Sequence, residues 1–145
     1  MIKITSPVFQ DGQMMPKKYT CDGEGISPPL EISDIPQDTK SLVLITDDPD
    51  AVGGNFNHWI VWNIDPRLTR IQEGVEPAGI PGINSGSRLG YYPPCPPTGT
   101  HRYIFKIFAL DTRLDIPEGA EKAKIEKAME NHVIDSGQII GNYSR

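Results

Sequence analysis

The chain has 145 residues, 14 of them Lys or Arg and 19 Asp or Glu, for a formal net charge of −5. That size suits one domain over residues 1–145, and the acidic balance excludes a general nucleic-acid binder, which carries a basic excess. Gly and Pro, 14 of each, form about a fifth of the chain against a usual ~12%, which excludes a helical bundle, while 37% hydrophobic content excludes a disordered tail.

Residues 2–5 and 30–33 read as weak strands. Residues 41–46 (Ser-Leu-Val-Leu-Ile-Thr) and 59–64 (Trp-Ile-Val-Trp-Asn-Ile) are short apolar runs rich in β-branched and aromatic side chains. Continuous rather than alternating polarity predicts strands covered on both faces. Residues 65–100 are Gly/Pro-rich and predict a long surface excursion with one short strand near 83–87. Residues 102–110 read as a further strand with Lys106 its one interior charge. The period then changes: Ile125, Ala128, Met129, His132 and Val133 recur at helical spacing, with Pro117 at a suitable first position and Lys122–Glu126 as an outer i, i+4 pair. Gly137 is expected to separate this helix from a short segment at 138–143. Several strands followed by a late helix predict a mainly β fold with the helix packed at its side.

No stretch approaches the ~20 apolar residues that span a bilayer, and the opening residues Met1–Pro7 hold no apolar signal region. A cytoplasmic, non-membrane-spanning protein is expected. Cys21 and Cys95 are too few for a disulfide scaffold or a four-Cys zinc site; they are either reduced thiols or one bridge, and spacing does not decide between them. Gly-x-Ser-x-Gly, the phosphate loop Gly-x-x-x-x-Gly-Lys and His-Glu-x-x-His are all absent. The acidic run Asp47-Asp48-Pro49-Asp50 fails as a calcium loop, because Val52 and Trp59 fall where an oxygen ligand and a Glu belong. No cofactor or metal is therefore expected.

What remains is a constellation. Asp48 and Asp50 follow one apolar strand, His58 heads the next, and His101 and Tyr103, two apart and so on one face of a strand, open a third. Taken singly, each Asp suits a turn cap and each His a satisfied core residue. Together they suit a small polar pocket, since carboxylates hold imidazoles as donors, and donor imidazoles with a phenol grip phosphate or carboxylate.

Four segments occur in order: Tyr-Thr-Cys-Asp-Gly-Glu-Gly-Ile-Ser-Pro-Pro-Leu at 19–30, Asp-Asp-Pro-Asp-Ala at 47–51, His-Trp at 58–59, and Pro-Pro-Thr-Gly-Thr-His-Arg-Tyr at 96–103. Together they resemble the phosphatidylethanolamine-binding protein family, in its bacterial and archaeal Raf kinase inhibitor-like branch, over almost the whole chain. The resemblance implies a β-sandwich of antiparallel sheets with peripheral C-terminal helices and one anion pocket. It maps that pocket onto Asp48, Asp50, His58, Pro97, His101 and Tyr103, with Asp22, Tyr91, Cys95 and Pro96 at its rim. Arg102 points to the opposite face and reads as structural. Val52, Gly25 and Ile32 depart from the family pattern, where Pro, Asn and Trp are frequent; the first of these bears on the pocket rim.

The expected partner is a small anion (phosphate, phosphoethanolamine or a carboxylate). The resemblance further implies a role as a ligand sensor or as an inhibitor docking on a kinase or protease, with a homodimer also allowed. The competing class is a hydrolase using Cys95 as nucleophile, or the Asp/His pairs, for general-base chemistry.

Overall fold

A computed structural model describes residues 1–145. Its strands form two sheets, a three-stranded one of order β1-β3-β6 and a six-stranded one of order β2-β9-β8-β4-β5-β7. In chain order these are β1 (Lys3–Thr5), β2 (Gln13–Met14), β3 (Leu30–Ser33), β4 (Ser41–Asp48), β5 (Phe56–Ile64), β6 (Arg70–Ile71), β7 (Ile80–Pro81), β8 (Thr100–Leu110) and β9 (Val133–Ser144), with one α-helix, α1 (Lys122–Met129), before β9. Neighbouring strands pair antiparallel except β2 and β9, which run parallel over two residues.

The continuous apolar runs have the predicted cause. β4 is buried along its whole length, and the pleat sends alternate side chains to two different cores. Leu42 and Leu44 face the small sheet, packing in one cluster with Ile4, Leu30, Ile32, Phe105 and Ile107. Val43 and Ile45 face the other way, clustering with Ile60, Trp62 and the α1 residues Ile125 and Met129. A strand between two apolar layers has no solvent side on which to place polar residues. Pro81 is tolerated because β7 is an edge strand.

The C-terminal third differs from the expectation. The helix is shorter, beginning five residues after Pro117 and ending at Met129. Asn131 takes a left-handed φ of 67°, and the chain leaves as β9, so His132 and Val133 match the helical spacing only by coincidence. His132 contacts Asp111 across 2.7 Å, and Val133 pairs with Leu110 in the β8–β9 ladder. Lys122 does not reach for Glu126; its ammonium lies 2.9 Å from Asp47. Gly137 does not break an element but sits inside β9 opposite Ile107. A Cβ there would run into the Ile2 carbonyl, where the N-terminal chain crosses and the Ile2 N–H donates to the Ser136 carbonyl at 3.2 Å. Residues 83–87 form a turn rather than a strand, with only isolated bridges from Ile83 to Leu89 and Glu121. One helix therefore stands where several C-terminal ones were expected, and a strand follows it.

Candidate functional site

β4 lies between β5 and β8, so the C-terminal end of β4 meets the N-terminal ends of its two antiparallel neighbours. Residues at those three ends converge. The pleat divides the two consecutive acids between faces. Asp47 turns toward α1, where Lys122 lies at 2.9 Å, with Lys106 of β8 at 3.4 Å; burial opposes its charge, but hydrogen bonding and charge from Lys122, with hydrogen bonds from Asn55 and Asn57, hold its carboxyl below the usual range. Asp48 turns to the opposite face, into a cavity of about 370 Å³.

That cavity is lined by Asp48, His58, His101 and Tyr103, with walls of Ala51, Val52, Phe56, Tyr92, Cys95, Pro96 and Pro97. Asp48 is 2% exposed. Its Oδ2 accepts from the His101 Nδ1–H at 2.7 Å and its Oδ1 from the Asp50 backbone N–H at 2.8 Å. His58 donates its Nδ1–H to the Tyr92 carbonyl at 2.7 Å. Phe56 packs 4.7 Å and Tyr103 5.2 Å from the His58 ring, centroid to centroid. Burial lowers the His58 pKa, outweighing the opposite pull of the Tyr92 carbonyl and of Asp48 and Asp47. Desolvation of the cation outweighs the neighbouring carboxylates. Burial, with Asp48 behind it, pushes the Tyr103 phenol up, so it stays a neutral donor. Sealed side-chain polar atoms without a partner are confined to Thr39, Thr46 and Asn57. The outer Nε2 atoms of His58 and His101 and the Tyr103 hydroxyl, which have no protein partner, therefore face the cavity.

Of the residues expected at the site, Asp48, His58, Pro97, His101 and Tyr103 line the cavity, as do Cys95 and Pro96. Asp50 does not. Its carboxylate accepts from the Arg102 backbone N–H, Nε and Nη2, each at 2.9 Å, and the guanidinium holds its carboxyl at about 2. Arg102 is structural as expected, and it holds Asp50 outside. Asp22 lies elsewhere, bound by the Tyr143 hydroxyl at 2.7 Å and Arg145 at 3.2 Å. Tyr91 turns inward, stacking edge-on to Trp59 and donating its hydroxyl to the Tyr19 carbonyl at 2.8 Å. Cys95 is bonded to Cys21 in a disulfide. No free thiol exists there, which overturns the reading of Cys95 as a nucleophile. Phe56 and Tyr92 were missed. Phe56 was findable, since it shares a face with His58 two residues on. Tyr92 lies in an aperiodic loop next to the Tyr91 that was expected in its place.

A two-sheet β-sandwich whose larger sheet ends in an Asp–His pair, a second His and a phenol around one cavity defines the class. The chain belongs to the phosphatidylethanolamine-binding protein family, whose model matches residues 5–144. A UPF0098 protein of Pyrococcus horikoshii is 47% identical over 154 residues, covering 99% of this chain and 77% of that protein. A UPF0098 protein of Chlamydia trachomatis is 42% identical, covering 99% of both. Among solved structures, a phosphatidylethanolamine-binding protein homologue from Chlamydia trachomatis superimposes with a TM-score of 0.96 at 42% identity, covering 99% of this chain and 97% of that one. YBCL of E. coli, described as a member of the mammalian family, gives 0.92 at 27% identity, covering 99% and 98%. No helix is long and apolar enough to cross a membrane.

Proposed function

We propose that the cavity is a binding site for a small oxyanion, a phosphate or phosphate-type headgroup, and that the protein acts by binding rather than by turnover, as a ligand sensor or as an inhibitor of a kinase or protease. One observation carries this: partnerless polar atoms from His101 and Tyr103 converge inside an apolar wall, where a hydrogen bond to an anion is least diluted by water. The Asp48–His101 pair also has the orientation of a general-base dyad, which is the one feature favouring a hydrolase. No Ser, Thr or free Cys lines the cavity, so a covalent intermediate has no side-chain nucleophile and such a dyad would have to activate water.

Calorimetric titration with phosphoethanolamine tests the reading. Tyr103→Phe removes a hydroxyl with no protein partner, so the fold should be untouched. Losing one hydrogen bond of ~0.5–1.5 kcal/mol should weaken binding about 2- to 12-fold. His101→Ala should abolish it. Undiminished affinity in both variants sinks the proposal.

A further inference from the structure

We propose that the Cys21–Cys95 bridge is a thiol–disulfide exchange site that governs the cavity: a dithiol reductant opens it, Arg145 receives the Cys95 thiolate, and the opened form holds oxyanions more weakly. The inference rests on the oxyanion reading above and adds to it a chemical control of occupancy.

The bridge is part of the cavity wall. Cys95 lines the cavity beside Pro96 and Pro97, and its sulfur joins that wall to the loop carrying Cys21. Both half-cystines are exposed, the setting of bridges that thiols reach and reduce. Little else holds the segment. The Pro94 carbonyl accepts from the Cys21 N–H at 3.0 Å, and Gly99 pairs with Arg145, but no backbone-to-backbone hydrogen bond reaches residues 95–98. Apart from the packing of buried Pro96, the bridge fixes this stretch. Reduction therefore frees the wall. It does not part the two loops, which stay joined through Cys21 and Pro94 and through the Tyr91 hydroxyl, which donates to the Tyr19 carbonyl at 2.8 Å.

Charge sets the direction of exchange. One thiolate of the dithiol attacks Cys21 Sγ; a bond forms between those two sulfurs, the Sγ–Sγ bond breaks, and its electron pair leaves on Cys95. The second thiolate then attacks the reductant's own sulfur in the mixed disulfide, releasing Cys21 and a cyclic disulfide. The dithiol is oxidised, the bridge is reduced, and the dithiol's two protons pass to solvent or to the released sulfurs. Arg145 Nη1 lies 3.3 Å from Cys95 Sγ, and a cation beside a sulfur favours its thiolate and makes it the better leaving group. Asp22, 3.2 Å from Arg145 Nη2, takes part of that charge, and its place next to Cys21 disfavours a thiolate there. Both results of reduction weaken anion binding. Residues 95–98 gain freedom that binding must remove, and a thiolate in the wall repels the ligand.

The test is calorimetric titration with phosphoethanolamine at about pH 8, where thiols are reactive, on the oxidised protein and on protein held in excess dithiothreitol, with thiols counted by labelling and folding checked by circular dichroism. The reduced protein should stay folded and bind at least about fivefold more weakly. By linkage, saturating phosphoethanolamine should raise the ratio of dithiothreitol to its oxidised form at half-reduction by the same factor. Arg145→Gln should slow reduction at least about threefold, and the double variant Cys21→Ser/Cys95→Ser should bind alike with and without dithiothreitol. Equal affinity of the oxidised and reduced protein, unfolding on reduction, an unshifted half-reduction ratio, an unchanged rate in Arg145→Gln, or a response of the double variant to dithiothreitol would each overturn the inference while leaving the oxyanion site intact. Failure of phosphoethanolamine to bind the oxidised protein would overturn both.

Discussion

Replacing Asp48 by Ala should destabilise the fold as well as empty the cavity of its electrostatic anchor. The carboxylate is 2% exposed and accepts two hydrogen bonds, from His101 Nδ1 at 2.7 Å and from the Asp50 N–H at 2.8 Å. Alanine would leave a buried imidazole N–H unpaired and release the turn that follows β4. Breaking a buried pair by deleting one partner typically costs ~3–5 kcal/mol. For a chain of about this length each kcal/mol moves the melting temperature by ~2–4 °C, so a fall of roughly 6–20 °C is expected by circular dichroism. Asp48→Asn keeps one acceptor for the turn and should lie between. A melting temperature within about 2 °C of the unaltered protein for Asp48→Ala would refute the reasoning, because it would mean that the His101 N–H finds water or another acceptor at no expense.

Two further outcomes follow from the same geometry. The Cys21–Cys95 bridge closes a loop of 74 residues, which the chain-entropy estimate makes worth ~4 kcal/mol; reduction, verified by counting two labelled thiols, should lower the melting temperature by roughly 8–16 °C, and an unchanged value would contradict it. The His58 pKa is lowered on folding, so the unfolded chain takes up that proton more readily; its contribution to stability is fully present above about pH 6.5 and is lost progressively as pH falls from there through the lowered folded-state value. Melting curves at pH 7.5 and 5 should therefore show a larger drop for the unaltered protein than for His58→Gln, and equal drops would show that the ring titrates normally.

The sequence made legible those elements whose burial leaves a mark on composition. β4 and β5 read as strands because two apolar layers enclose them, and β8 because its buried face alternates with half-buried residues that are themselves mostly apolar. Tyr103 and His101 read as one face because strand periodicity is exact at two residues. The end of α1 was illegible for the opposite reason: His132 and Val133 continue a helical pattern that the pairing of β9 with β8 overrides. Gly137 looked like a breaker because a glycine does not reveal whether it serves a turn or a crossing, and here it lets the Ile2 backbone pass. Asp50 was misplaced because it shares a motif with Asp48, and nearness in sequence does not say that both carboxylates enter one pocket. The chain turns there, and Arg102 captures the second carboxylate. Tyr92 contributes a backbone carbonyl and a ring packed beside His58, but it lies in an aperiodic loop where no periodicity could have marked it.

The position of β9 also bears on how the protein is made. Residues 133–144 leave the ribosome after every other strand, yet they occupy the interior of the six-stranded sheet between β2 and β8. Gln13 and Met14 must wait for Gly141 and Asn142, and Ile2 must wait for Ser136. Until then β8 presents an apolar strand with an unpaired edge, the condition that invites association with other nascent chains. His101 and Tyr103 lie on that strand, opposite Tyr143 and Gly141. The cavity wall that carries these two residues is thus one of the last parts to become rigid during synthesis, and a chain cut short before β9 would lack the support that holds these two side chains in place.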